Sequence, residues 1–127
     1  MRKRRILLVD DEVSITRALA LYLTENGDCD VRVENHGTRA VAAAREFRPD
    51  LILMDIMMPD ADGAALAADI QADRILRDTP LVFLTALVSR SETGNRSMQV
   101  GGYPFLAKPV DPDTVLAYIE HHARNGA

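Results

Sequence analysis

The chain is poor in cysteine, in aromatic side chains and in long apolar runs, and each shortage excludes a class of protein. Its 127 residues contain one cysteine, Cys29, so neither a disulfide framework nor a cysteine-based zinc site can form within it. Three tyrosines, three phenylalanines and no tryptophan mean that the core must be mainly aliphatic. No apolar run approaches the roughly 18 residues that span a bilayer, which argues against a membrane protein.

Charge and length exclude further classes of protein. The 19 acidic and 15 basic side chains give a net charge of −4, which argues against nucleic-acid binding as the main activity. The length fits one domain of the common size, roughly 100–150 residues, and a hydrophobic content of 47% is too high for a disordered chain. The basic start, residues 1–5, is followed by too few apolar residues for a signal peptide. We therefore expect a soluble cytoplasmic domain that neither enters a membrane nor binds nucleic acid directly.

Short apolar runs alternate with helix-length segments along the chain. The runs are Ile6–Val9, Val31–Val33, Leu51–Met54, Leu81–Leu84 and Phe105–Ala107. The strong runs are continuous, as in strands buried on both faces of a parallel sheet, whereas the second run alternates like an edge strand. Strands that alternate with helices over short connections predict a doubly wound α/β sandwich.

Helices are expected in the segments between these strands. The first helix carries apolar residues at four-residue steps and ends near Gly27, and the last begins with Asp111 as N-cap and Pro112 at the first helical position. Two others are expected at about Thr38–Phe47 and after Asp62-Gly63. The polar segment Ser89–Val100 is the weakest, so we expect the fourth of five helices to be short or irregular there.

Chemically useful side chains cluster where the predicted strands end. Ligands of open parallel sheets bind outside the carboxyl ends of the strands, so these side chains should converge at one edge. They are Asp10 and Asp11 after the first strand, Asp55 after the third, Thr85 at the end of the fourth and Lys108 after the fifth. Adjacent aspartates often merely cap a helix, but five such groups at strand ends favour a functional site.

The mixture of charges indicates the ligand. Neighbouring carboxylates repel each other by on the order of 4 kcal/mol per pair at an effective dielectric near 20, and a hard divalent cation relieves this repulsion. Mg²⁺ prefers oxygen ligands and often binds phosphate oxygens together with carboxylates. Lys108 adds a compact positive charge suited to phosphate. A metal, a lysine and a hydroxyl around one aspartate predict a phosphoryl-transfer site.

Four motifs in a fixed order extend this interpretation: Val9–Glu12, Leu53–Gly63, Leu84–Ala86 and Leu106–Pro109. Together they resemble the receiver domain of bacterial two-component response regulators, in the single-domain form of the chemotaxis regulators. The resemblance covers essentially the whole chain. It implies a flavodoxin-like, five-stranded parallel sheet in the order 2-1-3-4-5 with five helices.

The resemblance also implies a role for each site residue. Asp55 would accept a phosphoryl group from a sensor histidine kinase or a histidine phosphotransfer protein. Asp10, Asp11, Asp55 and the backbone carbonyl of Met57 would hold Mg²⁺, with direct or water-mediated binding left open for Asp10. Lys108 would pair with Asp55 at rest and with a phosphoryl oxygen afterwards.

Further positions are implied to switch the domain. Thr85 would donate its hydroxyl to the phosphoryl group. Phe105 occupies the switch-aromatic position and lacks a hydroxyl, so it can only swing between packed and exposed positions. Pro109 is expected to follow a cis peptide bond. Pro104 and the poor fourth helix depart from the family pattern in the surface that would contact a downstream protein.

We therefore expect a receiver domain over residues 1–127 with no output domain: a phosphoacceptor switch rather than an enzyme, which assists its own phosphorylation and dephosphorylation. Dimer formation on activation and origin from a larger protein are left open. One alternative is a Mg²⁺-dependent phosphatase of the haloacid-dehalogenase type, but Asp10-Asp11-Glu12 lacks the D-x-D spacing of that class. A non-catalytic pseudo-receiver would be favoured only if an acid, Thr85 or Lys108 were missing.

Overall fold

The computed structural model describes residues 3–86, 99–100 and 102–123. Its strands are β1 Arg4–Val9, β2 Cys29–Glu34, β3 Leu51–Asp55, β4 Met57–Met58, β5 Ala61–Asp62, β6 Leu81–Thr85, β7 Gln99–Val100 and β8 Tyr103–Ala107. Its α-helices are α1 Val13–Asn26, α2 Ala40–Phe47, α3 Gly63–Ala72 and α4 Pro112–His122, and a 3₁₀ turn, Gly37–Arg39, leads into α2.

The five long strands form a parallel sheet in the order β2-β1-β3-β6-β8. This is the predicted order 2-1-3-4-5, so the flavodoxin-like, doubly wound fold class is confirmed. The described residues include four of the five predicted α-helices. The fourth predicted helix lies mainly in residues 87–98, outside the described part of the chain.

Alternate residues of the central strands enter two apolar cores, one on each face of the sheet. In β1, Leu7 and Val9 belong to the core covered by α2 and α3, whereas Ile6 and Leu8 belong to the core covered by α1 and α4. Because helices cover both faces, the central strands read as continuous apolar runs in the sequence. The partly exposed β2 lies at the edge, as its alternating sequence predicts.

The predicted helix ends are found at their capping residues. The Gly27 N–H donates to the carbonyl of Leu23 at 2.9 Å and closes α1. Asp62 accepts the Ala64 N–H at 3.0 Å at the start of α3. Asp111 caps α4, with Pro112 at its first turn.

The last two residues of the segment expected to contain the short or irregular fourth helix, Ser89–Val100, form a strand. Gln99 and Val100 form the short strand β7, which pairs antiparallel with the start of β8. Two glycines separate the paired residues Val100 and Tyr103, and Gly102 has φ +87°, a left-handed conformation that tight hairpins require and that glycine adopts at low cost. The glycine pair therefore favours a hairpin over the continuation of a helix.

Candidate functional site

The predicted site residues meet at the carboxyl edge of the sheet. Asp10 follows β1, Asp55 is the last residue of β3, Thr85 is the last of β6, and Lys108 follows β8. Since these four strands are neighbours in the sheet, their ends supply one continuous pocket. The predicted convergence is confirmed for the carboxylates and Lys108 by the distances below.

Three carboxylates form a compact cluster. One oxygen from each of Asp10, Asp11 and Asp55 lies within 4.8 Å of the other two. Asp10 and Asp55 are buried, whereas Asp11 is partly exposed to solvent. Oxygen ligands at this spacing suit a hard divalent cation such as Mg²⁺. The three-carboxylate donor set therefore fits the metal that the sequence predicts.

Asp10 is held rigidly on its backbone side. Its Oδ1 accepts the Glu12 N–H at 3.0 Å, and its carbonyl accepts the Asn35 side-chain amide at 2.7 Å. Its Oδ2 is buried, lies 2.8 Å from the Lys108 ammonium nitrogen and accepts no hydrogen bond from any other described residue. A buried carboxylate oxygen with spare acceptor capacity is a further property expected of a metal ligand.

Lys108 bridges the carboxylates. Its ammonium nitrogen lies 2.8 Å from Asp10 Oδ2, 2.9 Å from Glu12 Oε1 and 3.3 Å from Asp55 Oδ2, and 9% of its side chain is exposed. Burial by itself would lower the pKa of Lys108, but the hydrogen bonds and charges of Asp10, Glu12 and Asp55 outweigh it and raise that pKa. Lys108 is therefore a fixed positive charge at neutral pH.

The ionised form of Asp55 is disfavoured by its surroundings. Its pKa is raised, first because burial disfavours the carboxylate and also because the charge of Asp10 is nearby. The Met57 N–H, which donates to Asp55 Oδ1 at 3.2 Å, and the Lys108 ammonium oppose this shift without cancelling it. A cation bound between the carboxylates would relieve the remaining repulsion.

Backbone hydrogen bonds join Lys108, and Ile56 directly after Asp55, to the end of β6. The Ile56 N–H donates to the Leu84 carbonyl at 3.2 Å, and the Lys108 N–H donates to the Thr85 carbonyl at 2.8 Å. Thr85 is buried, with 1% of its surface exposed. The bond between Lys108 and Pro109 is cis, as expected.

Met57 and Phe105 lie in different environments. The Met57 side chain is 63% exposed beside Asp55, and its carbonyl remains a predicted ligand. Phe105 is 6% exposed in the core under α2 and α3, which is the packed one of the two predicted positions. On the same face, Tyr103 donates its hydroxyl to Gln71 of α3 at 2.8 Å and packs edge-on against Phe83.

Two residues of the site have no role in the sequence interpretation. Glu12 accepts a hydrogen bond from the Lys108 ammonium group. Asn35 donates its side-chain amide to both the Asp10 carbonyl and the Thr16 hydroxyl. Glu12 follows the paired aspartates directly, so its position was a usable signal. Asn35 lies 25 residues from Asp10, and its polar side chain after an edge strand gives no sign of this contact.

The fold and pocket define a class: a doubly wound α/β protein with an acidic, lysine-containing site at the carboxyl edge of its sheet, suited to a metal ion and a phosphoryl group. The profile of the response regulator receiver domain family matches residues 6–120. The chain belongs to that family. Receiver domains are phosphoacceptor switches of two-component signalling rather than classical enzymes, which confirms the predicted function at this level.

Individual relatives agree with this assignment. Response regulator Rre1 of Synechocystis sp. is 36% identical over 118 residues, which cover 91% of this chain and 50% of Rre1. The DNA-binding response regulator MtrA of Mycobacterium tuberculosis is 33% identical over 122 residues, 96% of this chain and 51% of MtrA. The BeF3-activated N-terminal receiver domain of RstA from Klebsiella pneumoniae superimposes with a TM-score of 0.78 and 33% identity, over 96% of this chain and 100% of that one.

Two of the expectations about this chain stay predictions after comparison with its relatives. The chain spans about half the length of the curated relatives it matches, so the absence of an output domain stays a prediction. So does the absence of direct nucleic-acid contact, since MtrA is described as DNA-binding. In the described ranges, no helix is both long and apolar enough to cross a bilayer.

Proposed function

We propose that Asp55 is the phosphoacceptor of this receiver domain. One observation carries the proposal: the Asp55 carboxylate shares Lys108 with Asp10 and lies within 4.8 Å of the Asp10 and Asp11 carboxylates. A nucleophilic oxygen, a fixed cation and hard-metal ligands thus meet at one point. Phosphoryl transfer needs this combination because catalysis consists mainly of positioning and of neutralising charge on the phosphoryl oxygens.

The transfer can be written as a balanced step. An Asp55 carboxylate oxygen attacks the phosphorus of a phosphohistidine on a kinase or phosphotransfer partner. The new O–P bond forms as the P–N bond breaks, and the electron pair of the broken bond stays on the imidazole nitrogen of the partner. The product on this chain is an aspartyl phosphate.

Asp10, Asp11, Asp55 and the carbonyl of Met57 would hold Mg²⁺. When bound, Mg²⁺ neutralises negative charge on the carboxylates and on the phosphoryl oxygens. The chain's own residues prepare this site, because the Glu12 N–H and the Asn35 amide fix Asp10 before any ligand arrives. Met57 N–H likewise fixes one oxygen of Asp55.

Lys108 and Thr85 would convert the modification into a conformational change. The phosphoryl group adds roughly −1.5 to −2 charges, so Lys108 would exchange a carboxylate for a phosphoryl oxygen. Thr85 would donate its hydroxyl to the same group and draw the end of β6 inward, with Phe105 responding on the neighbouring strand. The same groups would assist phosphorylation by small phosphodonors and the later hydrolysis of the aspartyl phosphate.

Intact-mass measurement tests the central claim. The chain is incubated with Mg²⁺ and acetyl phosphate, and a phosphoryl-sized mass increase is expected for the unaltered protein and for Asp69→Asn. Asp69 is an exposed acid on α3 and serves as the matched control. Asp55→Asn should show no increase while keeping its circular dichroism spectrum. An adduct that persists in Asp55→Asn would show that another residue is the acceptor.

A further inference from the structure

The turn after Asp55 is a short hairpin. β4 pairs antiparallel with β5, which leaves Pro59 and Asp60 at the tip. At its base, the Gly63 N–H donates to the Ile56 carbonyl at 3.0 Å. Because the hairpin begins with Met57, its position decides where the predicted carbonyl ligand lies.

Asp60 fastens the tip of this hairpin to the 3₁₀ turn that leads into α2. Its Oδ1 accepts the Gly37 N–H at 3.2 Å, and its Oδ2 accepts the N–H and the hydroxyl of Thr38, both at 3.3 Å. The first N–H groups of a helical segment have no partner within the helix and favour a negative acceptor. Desolvation works to raise the pKa of Asp60, but the hydrogen bonds from Thr38 and Gly37 outweigh it and lower that pKa.

Close packing supports the same contact. A Cβ atom at Gly37 would lie 2.7 Å from the Cβ of Ala61 and 3.1 Å from the Cε of Met58. Real side chains do not approach this closely, so the hairpin lies directly on the backbone at Gly37. The hairpin and the 3₁₀ turn thus form one packed unit.

The same loop, residues 35–38, also holds Asp10. Asn35 donates its side-chain amide to the Asp10 carbonyl at 2.7 Å. Directly before the loop, the carbonyl of Glu34 at the end of β2 accepts the Asp10 N–H at 3.1 Å. One loop therefore contacts both halves of the carboxylate cluster, Asp10 through Asn35 and the Asp55 hairpin through Asp60.

We propose that Asp60 is a positioning residue for the metal and phosphoryl site. Its hydrogen bonds hold the hairpin after Asp55 against the 35–38 loop. The inference rests on the proposed function, since it assumes that the pocket binds Mg²⁺. Asp60 acts through the backbone of the hairpin and through the loop that holds Asp10. Loss of the Asp60 contacts should weaken metal binding while the domain stays folded.

Calorimetric titration of the unphosphorylated chain with Mg²⁺ tests this proposal. Asp60→Ala should raise the Kd by about tenfold, at the low end of what the loss of residues that orient metal ligands costs. Asp60→Glu keeps the charge but displaces the carboxylate, and it should also weaken binding. Thr38→Val removes one of the three hydrogen bonds that Asp60 accepts, without any change in charge, and should raise the Kd by a smaller factor.

Two controls separate this effect from net charge and from misfolding. Asp69→Ala removes the same charge from an exposed position on α3 and should leave the Kd unchanged. If Asp69→Ala weakens Mg²⁺ binding as much as Asp60→Ala does, the effect is one of charge alone and the proposal is wrong. If Asp60→Ala does not fold, Thr38→Val decides, and an unchanged Kd in Thr38→Val would overturn the proposal.

Failure of this inference differs visibly from failure of the proposed function. If the unaltered chain binds Mg²⁺ and Asp55 takes the phosphoryl group, while Asp60→Ala binds Mg²⁺ equally well, the positioning role alone is wrong. If the unaltered chain neither binds Mg²⁺ nor gains a phosphoryl group, the proposed function is wrong, and the role of Asp60 fails with it.

Discussion

The ammonium group of Lys108 lies 2.8 Å from Asp10 Oδ2 but 3.3 Å from Asp55 Oδ2. The resting lysine is therefore held more closely by a predicted metal ligand than by the predicted phosphoacceptor. A metal ion in the proposed site would compete with Lys108 for the Asp10 and Asp55 carboxylates, since both would neutralise the same cluster.

This competition predicts that Lys108→Met binds Mg²⁺ more tightly than the unaltered chain. Loss of the positive charge should lower the Kd on the order of tenfold, which corresponds to about 1.4 kcal/mol. Without Mg²⁺ the same variant should melt at a lower temperature, because buried carboxylates lose their partner. Calorimetry and thermal denaturation measure the two effects, with Lys3→Met, at a half-exposed lysine near Asp28, as control. A weaker or unchanged Mg²⁺ affinity would contradict the competition.

The raised pKa of Asp55 predicts a pH-dependent stability. A carboxyl group whose pKa is higher in the folded than in the unfolded state destabilises the fold above its ordinary pKa, because the folded state resists ionisation. Asp55→Asn should therefore raise the melting temperature at neutral pH in the absence of divalent metal. The gain should vanish in acid, where Asp55 is protonated in both states. Melting curves across pH, with Asp69→Asn as control, measure this, and a lower melting temperature of Asp55→Asn at neutral pH would refute it.

Thr85→Ala should separate phosphorylation from signalling. The substitution leaves Asp55, Lys108 and the carboxylate cluster in place, so the phosphoryl-sized mass increase should persist. The change in affinity for the downstream partner on phosphorylation should be lost, since the hydroxyl that would report the phosphoryl group is gone. Binding is measured with phosphorylated and unphosphorylated protein side by side. A normal response in Thr85→Ala means that another residue couples the site to the surface.

Gly63→Ala tests the close approach behind the phosphoacceptor. A Cβ at Gly63 would lie 2.7 Å from Ile56 Cα and 2.8 Å from the Asp55 carbonyl oxygen, both of them backbone atoms that cannot rotate away. Overpacking of this kind costs about 1–3 kcal/mol of unfolding free energy. Urea denaturation should show this loss for Gly63→Ala and almost none for Ala65→Ser, an exposed position on the same helix. Equal stabilities would mean that the hairpin base moves freely.

Local sequence patterns are sufficient to predict much of the fold and part of the site. The order of the strands is implied by the resemblance to receiver domains. The alternation of strands with helices, the caps at Asp62 and Asp111, and the meeting of Asp10, Asp55 and Lys108 follow from short stretches of sequence combined with the rule for strand ends. These features depend on backbone periodicity and capping chemistry, which operate within a few residues.

The remaining contacts depend on tertiary geometry. Glu12 reaches Lys108 across 96 residues, and Asp60 reaches Gly37 across 23. The sequence around Asp60 does not distinguish it from an ordinary surface acid. Glu12 stands next to the paired aspartates, but its partner is fixed only when the strands assemble. The hairpin at Val100 lies at the end of the segment expected to contain a short or irregular fourth helix, and the two glycines that form its turn play no part in that expectation.

The exposed Met57 has a practical consequence. Its side chain is 63% exposed and its N–H contacts Asp55, while the chain contains no tryptophan. An indole introduced by Met57→Trp would therefore be the sole tryptophan emitter, next to the group whose charge is expected to change. Its fluorescence would report metal binding and phosphorylation in real time, without an added label and without emission from any other tryptophan.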